Sequence, residues 1–316
     1  MSVALPNLEQ IRDAAARIAP YASVTPVLRH AALDALVGAQ LYFKCENLQR
    51  GGAFKFRGAC NAVWSLSEDE ARCGVVTHSS GNHGNALAMA ASTRGIAAHV
   101  IVPEGAVRAK VDAIEQAGAV LHRCAPTIAA REAKAAEVQQ ATGAIMVHPY
   151  ADTRVMAGQG TVVLELLHQS DGLDAIVTPI GGGGLMAGCA IAAHGLAPDI
   201  AMVGAEPAGA SDAAQSLAHG ARIEHFVPAT ICDGLRALVG EPNLAALREH
   251  RVQVITVSDE ETIAAMKLLW QTLKIVVEVS SATVFAAVLK QREGFAGRRV
   301  GLVLTGGNVD VDDLPW

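Results

Sequence analysis

The sequence predicts an α/β protein with mostly parallel sheets flanked by helices. Short apolar runs rich in β-branched residues alternate with alanine-rich stretches of helical character along most of the chain. Because these runs are continuously apolar, they are typical of strands that a parallel sheet buries on both faces. The chain has 316 residues, 51% of them hydrophobic, so it is long enough to bury a substantial core.

Eight runs are predicted to be strands: 74–79, 98–103, 119–124, 145–149, 175–180, 201–206, 252–257 and 300–305. Helical patterns lie between them, for example at 84–95 and 107–118. The segment 74–151 contains several strand–helix units of its own. We therefore expect a small domain at 74–151, inserted into a large domain made of 1–73 and 152–316.

Composition argues against several classes of protein. The net charge of −6 offers no basic footprint for nucleic acid, and no apolar run is long enough to span a bilayer. The N-terminal residues show no signal-peptide pattern. The six cysteines are scattered without a C-x-x-C pair, at Cys45, Cys60, Cys73, Cys124, Cys189 and Cys232. They are expected to be buried thiols in a reducing compartment, which predicts a cytoplasmic protein.

Four consecutive glycines, Gly181–Gly184, follow one predicted strand and open a helix. Glycine lets the backbone approach a ligand closely, and the amides at the helix start favour a phosphate. A tight turn without a ligand is the plain alternative. A second alternative is a dinucleotide fingerprint, because Gly182, Gly184 and Ala187 fit G-x-G-x-x-A and Glu206 ends the next strand. This motif alone does not exclude a nicotinamide enzyme.

Two further polar turns end strands. The first carries four polar side chains within five positions: Ser79, Ser80, Asn82 and His83. It precedes a helix whose N-terminal amides suit a carboxylate or phosphate, although serine and asparagine are also ordinary N-cap residues. The second begins at Thr305, before two glycines and Asn308, and on its own indicates only a turn.

Lys55 distinguishes a pyridoxal-phosphate enzyme from a nicotinamide enzyme. Phe54 and Phe56 flank it and Arg57 follows. Apolar walls and a neighbouring cation both disfavour the ammonium form, which lowers the pKa and frees the amine to form a Schiff base. A reactive lysine together with a phosphate site predicts pyridoxal phosphate, whereas a nicotinamide enzyme has no use for Lys55.

Four motifs resemble those of fold-type II pyridoxal-phosphate enzymes, in family order: "AFKFRGACNA", "VVTHSSGNHGNALA", "PIGGGGLMAG" and "LTGGNVD". The branch is that of biodegradative threonine/serine dehydratases and eukaryotic serine racemases, and the resemblance runs from about Thr25 to about Asp310. It implies a two-lobed fold like that of the tryptophan synthase β chain, a small amino-acid substrate and a homodimer.

The resemblance also implies roles for individual residues. Lys55 would carry the cofactor, Ser80 would act on its opposite face, Asn82 would bond its phenolic oxygen and Thr305 would face its pyridine nitrogen. The phosphate cradle would be formed by Gly181, Gly182, Gly183, Gly184 and Leu185. The substrate would be bound by Ser79, Ser80, His83 and Arg131.

The segment "GAEPAGASD" resembles the divalent-metal loop of the racemases. Glu206 and Asp212 would supply carboxylates and Ala210 a carbonyl oxygen. Hard oxygen ligands of this kind suit Mg²⁺, or Ca²⁺ or Mn²⁺ in its place. A solvated acidic turn is the alternative.

The activity implied is an ammonia-lyase that converts threonine, serine or 3-hydroxyaspartate to a 2-oxo acid and ammonia. A serine or amino-acid racemase on the same scaffold is the alternative. Tyr150 stands where racemases have an asparagine, and Ala237 replaces a serine near the racemase substrate. The hydroxyl of Thr305 cannot hold the pyridine nitrogen protonated as a carboxylate would. All three features favour the lyase.

Overall fold

The computed structural model describes residues 4–106 and 108–316 and contains two separate sheets. The strands are β1 Val27–Leu28, β2 Gln40–Cys45, β3 Val75–Thr77, β4 Ala98–Pro103, β5 Val120–Cys124, β6 Ile145–Met146, β7 Ala175–Pro179, β8 Ala201–Pro207, β9 Gln253–Val257 and β10 Arg299–Leu304. The helices are α1 Leu8–Ile18, α2 Ala31–Val37, α3 Lys55–Trp64, α4 Glu68–Cys73, α5 Asn82–Arg94, α6 Arg108–Gln116, α7 Ile128–Thr142, α8 Thr153–His168, α9 Gly184–Leu196, α10 Asp212–His219, α11 Glu241–Glu249, α12 Asp259–Leu273, α13 Val279–Lys290 and α14 Arg292–Phe295.

The larger sheet has the order β1-β2-β10-β7-β8-β9. Only β1 runs antiparallel to its neighbour, and the other pairs are parallel. One core cluster packs α2, α12 and α13 on one face, and a second packs α1, α8 and α9 on the other. The predicted α/β class with mostly parallel, helix-flanked sheets is confirmed.

The smaller sheet is entirely parallel, with the order β5-β4-β3-β6. Its strands all lie within the predicted small domain, but the domain boundaries at 74 and 151 remain a prediction. The helix predicted at 107–118 is α6; Val107 itself lies outside the described residues.

All eight predicted strands are present, and β1 and β2 were missed. β1 has only two residues, and β2 carries Lys44, a charge that is unusual in a buried strand. Its side chain is fully buried and ion-paired to Glu165 of α8 over 2.6 Å.

Both sheets reverse their winding direction at one point. In the smaller sheet the reversal lies between β3 and β6, and in the larger sheet between β7 and β10. Ligands of open α/β sheets bind outside the carboxyl ends of the strands at such points. The topology therefore indicates the turns after these four strands as the site, and three of them are the polar and glycine-rich turns of the sequence.

The described part of the chain contains no disulfide. Five of the six cysteines are buried as expected, and Cys73 is half-exposed. Within the same residues, no helix combines the length and apolar character needed to cross a bilayer.

A buried ion network joins three segments around Arg57, the third residue of α3. Its guanidinium donates to both carboxylate oxygens of Glu46, just after β2, at 2.7 and 2.8 Å. It also donates to both oxygens of Glu165 at 2.7 and 2.8 Å. The pKa of Arg57, which burial alone would lower, is held above its ordinary value by these carboxylates. This network fixes the start of α3 against β2 and α8.

We expect Arg57→Met to lower the free energy of unfolding by about 3–5 kcal/mol, because it leaves a buried carboxylate without its partner. Arg72→Met is the matched control, since Arg72 forms its ion pair on the surface; it should change stability by less than about 1 kcal/mol. Chemical denaturation of both variants measures the difference. Equal losses of unfolding free energy in the two variants would show that the buried network stabilises the protein no more than a surface ion pair.

Candidate active site

Lys55 begins α3 at the carboxyl edge of the larger sheet. Its Nζ donates to the carbonyl oxygen of Pro149 at 2.9 Å and lies 5.0 Å from the ring centre of Phe54. Burial lowers the pKa of Lys55 from 10.5 to about 8, against the opposing charge of Glu278. A large fraction of the amine is therefore neutral and nucleophilic near pH 8.

Arg57 does not act on Lys55 in the way the sequence suggested. Residues two apart on a helix face different directions. The charge of Arg57 is neutralised by Glu46 and Glu165, and it does not contribute to the lowered pKa of Lys55. Burial therefore causes the predicted lowering of the Lys55 pKa. The predicted contribution of the Arg57 charge is wrong.

The tetraglycine turn presents a row of free backbone amides. No amide from Gly181 to Met186 donates a hydrogen bond to another of the described residues. Gly183 has φ +83°, the left-handed region that favours glycine, and it caps α9. Consecutive free amides at a helix start form an anion site, so the residues present fit a phosphate.

Tyr150 explains two of the four glycines in the turn. A Cβ on Gly182 would overlap the Tyr150 ring, and one on Gly184 would lie 2.8 Å from the Tyr150 carbonyl oxygen. Tyr150 thus packs directly on the amide row. The sequence marked it only as a departure from the racemases, whereas its packing role depends on contacts distant in the chain.

The Ser79–His83 turn forms a second set of free amides. None from Ser80 to Gly84 donates to another described residue, and α5 begins at Asn82. The His83 ring is buried, with Nε2 3.2 Å from the Val147 carbonyl oxygen. Burial lowers the pKa of His83 well below 6.5, so the ring is neutral. The substrate contact predicted for His83 therefore suits its backbone amide better than its side chain.

Asn82 is held by two residues that the sequence reasoning missed as site residues. Its Nδ2 donates to both oxygens of Glu278, at 3.1 and 3.2 Å, and its Oδ1 accepts from Asn308 Nδ2 at 2.9 Å. Glu278 is 6% exposed, and burial raises its pKa to about 7. A lone Glu in an apolar run gave no signal of this contact.

Thr305 lies beside the reactive lysine. Its carbonyl oxygen accepts from the amide of Phe54 at 3.0 Å, which ties the end of β10 to the residue before Lys55. Its side chain is almost fully buried, and its hydroxyl makes no hydrogen bond with other described residues. The hydroxyl is thus free for a ligand atom near Lys55.

Arg131 lies in the first turn of α7, which packs on β3. Its Nε is buried without a partner among the described residues, and its guanidinium forms no ion pair with any of them. Burial lowers the pKa of His78, next to the Ser79 turn, and the charge of Arg131 lowers it further. A half-buried cation whose Nε has no partner among the described residues is suited to an anionic ligand at this edge.

The predicted metal loop holds two buried carboxylates. Glu206 accepts from the amides of Ala213 and Ala214, both at 2.9 Å, and burial with the nearby Asp212 raises the pKa of Glu206 to about 8. Burial also raises the pKa of Asp212. Within the described residues no third His, Cys, Asp or Glu joins them. Two carboxylates that repel one another in a buried site fit a cation, which would offset both charges.

The chain belongs to the family of pyridoxal-phosphate dependent enzymes. The model of the pyridoxal-phosphate dependent enzymes matches residues 18–306. This confirms the resemblance to fold-type II pyridoxal-phosphate enzymes and removes the nicotinamide alternative.

Three relatives show where the chain lies within the family. It is 47% identical over 312 residues to a beta-hydroxyaspartate dehydratase of Paracoccus denitrificans, covering 99% of each chain. It is 48% identical over 313 residues to a serine racemase of Arabidopsis thaliana, covering 98% of this chain and 95% of the relative. The solved structure of maize serine racemase superposes with a TM-score of 0.96 at 43% identity, over 98% of this chain and 95% of that one.

The lowered pKa of Lys55 predicts how its reactivity depends on pH. The rate at which the amine captures pyridoxal phosphate should rise with pH and reach half its maximum near pH 8, because only the neutral amine attacks. Glu278→Gln should move this midpoint lower, since the Glu278 carboxylate raises the pKa of Lys55.

Absorbance-monitored reconstitution from pH 6 to 10 measures both midpoints. Glu68→Gln is the control, because Glu68 is exposed and pairs with Arg94 away from the site. A wild-type midpoint near 10.5, or a rise after Glu278→Gln, would contradict the electrostatics described above.

Proposed function

We propose that this chain is a pyridoxal-phosphate-dependent ammonia-lyase of small β-hydroxy amino acids, and that 3-hydroxyaspartate is the substrate its site fits best. The observation that carries the substrate assignment is Arg131, a cation near the Ser79 turn with no ion-pair partner in the described part of the chain. A 47% identical relative is a beta-hydroxyaspartate dehydratase, which supports the same choice.

The cofactor would be held by the groups assigned to it from the motifs. The amides of the tetraglycine turn and Leu185 would bind the phosphate, Asn82 the phenolic oxygen and Thr305 the ring nitrogen. Pyridoxal phosphate supplies the electron-withdrawing ring that makes the α-proton of a bound amino acid acidic. The remaining work falls to side chains and amides of the protein.

Two separate groups bind the two carboxylates of 3-hydroxyaspartate. The free amides of the Ser79–His83 turn, with the dipole of α5, hold the α-carboxylate. Arg131 holds the distal carboxylate through its planar guanidinium, which matches a carboxylate geometrically. Serine and threonine lack the second group and therefore leave Arg131 without a partner.

The proton transfers are divided between two faces. Lys55, neutral near pH 8, takes the α-proton on one face, and the β-hydroxyl then leaves to give the precursor of the 2-oxo acid. Ser80, whose hydroxyl bonds to no other described residue, would act on the other face. The same hydroxyl would return a proton to that face in a racemase, which is the second activity to be tested.

Replacing Arg131 with glutamine should lower kcat/KM for 3-hydroxyaspartate roughly tenfold to hundredfold, the value of one charge-assisted hydrogen-bonded pair. The values for serine and threonine should change less than about threefold, since they place nothing against the guanidinium. Assays for 2-oxo acid and ammonia with all three substrates measure the ratio.

Arg72→Gln is the matched control, because it removes an exposed arginine far from β3. An equal loss on all three substrates would assign Arg131 to the α-carboxylate instead. A wild-type enzyme that prefers serine or threonine would contradict the substrate proposal.

Ser80→Ala separates the two faces. Elimination from the enantiomer whose α-proton faces Lys55 should remain within about threefold of wild type. Inversion, and elimination from the other enantiomer, should fall by about 10²–10⁴, the usual value of a general acid or base. Chiral product analysis with both enantiomers of serine measures this. The face assignment fails if both enantiomers are affected alike.

The proposal includes a divalent cation, Mg²⁺ or its substitutes, held by Glu206, Asp212 and the carbonyl oxygen of Ala210. Dialysis against a chelator should lower stability, and Mg²⁺ should restore about 2.7 kcal/mol when its free concentration is about 100 times its Kd. Glu206→Gln should abolish the stabilisation by Mg²⁺, because it removes the carboxylate charge and keeps the shape of the side chain. Thermal unfolding measures it, and a wild-type protein indifferent to chelator and cation would argue against the site.

A further inference from the structure

Asn243, in the first turn of α11, packs against Gly183 of the tetraglycine turn. Its side chain is fully buried. Its Nδ2 donates to the carbonyl oxygen of Gly182 at 2.5 Å and to that of Tyr150 at 3.1 Å. Its Oδ1 is buried with no hydrogen-bond partner among the described residues. An unpaired buried acceptor costs stability. The asparagine at this position therefore indicates that its two donated hydrogen bonds are its structural role.

The hydrogen bonds to the Gly182 carbonyl determine which way the next amide points. The same oxygen also accepts from the amide of Gly240 at 3.1 Å, so two donors hold it on the α11 side. In a planar trans peptide, the C=O of one residue and the N–H of the next point in opposite directions. Anchoring the Gly182 carbonyl therefore directs the Gly183 amide away from α11, where it donates to no other described residue.

This anchoring helps to keep the Gly183 amide oriented. Glycine has little preference between conformations, so the Gly182–Gly183 peptide rotates more readily than other peptides. A rotated peptide would present a carbonyl oxygen to the phosphate, replacing a donor with a repelling acceptor. Buried donors on the carbonyl side remove that alternative.

The second hydrogen bond of Asn243 holds Tyr150, the residue after the one that Lys55 contacts. Tyr150 follows Pro149, whose carbonyl oxygen accepts from Lys55 Nζ. The segment Pro149–Tyr150 is thus held between the lysine on one side and Asn243 on the other. Because the carbonyl that Lys55 contacts belongs to Pro149, loss of the Asn243 amide should affect the phosphate turn far more than the lysine.

We infer that Asn243 is a positioning residue for phosphate recognition: it orients the Gly182–Gly183 peptide so that the Gly183 amide binds the cofactor phosphate. This inference rests on the proposed function, since it needs the turn to hold that phosphate. It adds a residue that none of the four sequence motifs contains.

The test compares pyridoxal phosphate with pyridoxal, which lacks the phosphate. The full-length protein is freed of cofactor, and the Kd of each compound is measured for wild type, Asn243→Leu and Asn243→Ser. Both variants should bind pyridoxal phosphate roughly tenfold to hundredfold more weakly, the value of a hydrogen bond to a charged group. Both should bind pyridoxal within about threefold of wild type.

Leu247→Ala is the matched control, because it creates a cavity beneath the same helix and removes no hydrogen bond to the turn. It should lower the melting temperature and leave the preference for the phosphate unchanged. If Asn243→Leu does not fold, Asn243→Ser decides the question, since it is smaller and creates no overpacking.

The outcomes separate the inference from the proposed function. Variants of Asn243 that retain the wild-type preference for pyridoxal phosphate overturn the inference alone. A wild-type protein that does not prefer pyridoxal phosphate over pyridoxal overturns both. A loss of preference in the Asn243 variants but not in Leu247→Ala supports the positioning role.

Discussion

The active site depends on the buried ion network around Arg57. Its two bidentate pairs with Glu46 and Glu165 join the end of β2, the start of α3 and the last turn of α8. Breaking any of these contacts would leave a charge in the protein interior without compensation. The network therefore fixes the position of Lys55 two residues earlier, and a fixed, buried position is what lowers the pKa of that amine.

Around the lysine, the two sheets bring together backbone groups rather than many charged side chains. The free amides after β3 and those after β7 form two anion sites at helix N-termini. Each lies where its sheet reverses direction, so the topology places both sites at carboxyl edges. In the proposed function, these fixed amides bind the phosphate and the α-carboxylate, Arg131 binds the distal carboxylate, and the side chains of Lys55 and Ser80 are left for proton transfer. The close packing of Tyr150 on the glycines sets the shape of the phosphate site.

Much of this arrangement could be predicted, because strands, glycine turns and Lys55 leave local patterns. The family resemblance, the cofactor and the lyase class were also predicted correctly. Glu278, Asn243 and the packing of Tyr150 were missed, since each acts through a contact distant in the chain and nothing local distinguishes it. Arg57 was misread for the same reason: sequence neighbours on a helix do not face one another. The individual site roles, the metal ion, the domain boundaries and the homodimer remain predictions.

The most direct test of the account is to find where the cofactor is attached. Holoenzyme reduced with borohydride and digested should yield a single pyridoxyl-modified peptide, containing Lys55. Lys44 is the informative comparison, because burial lowers its pKa as well but Glu165 occupies its amine. Modification of Lys55 alone is the result we expect. A label on Lys44 or any other lysine, or no label at all, would contradict the account.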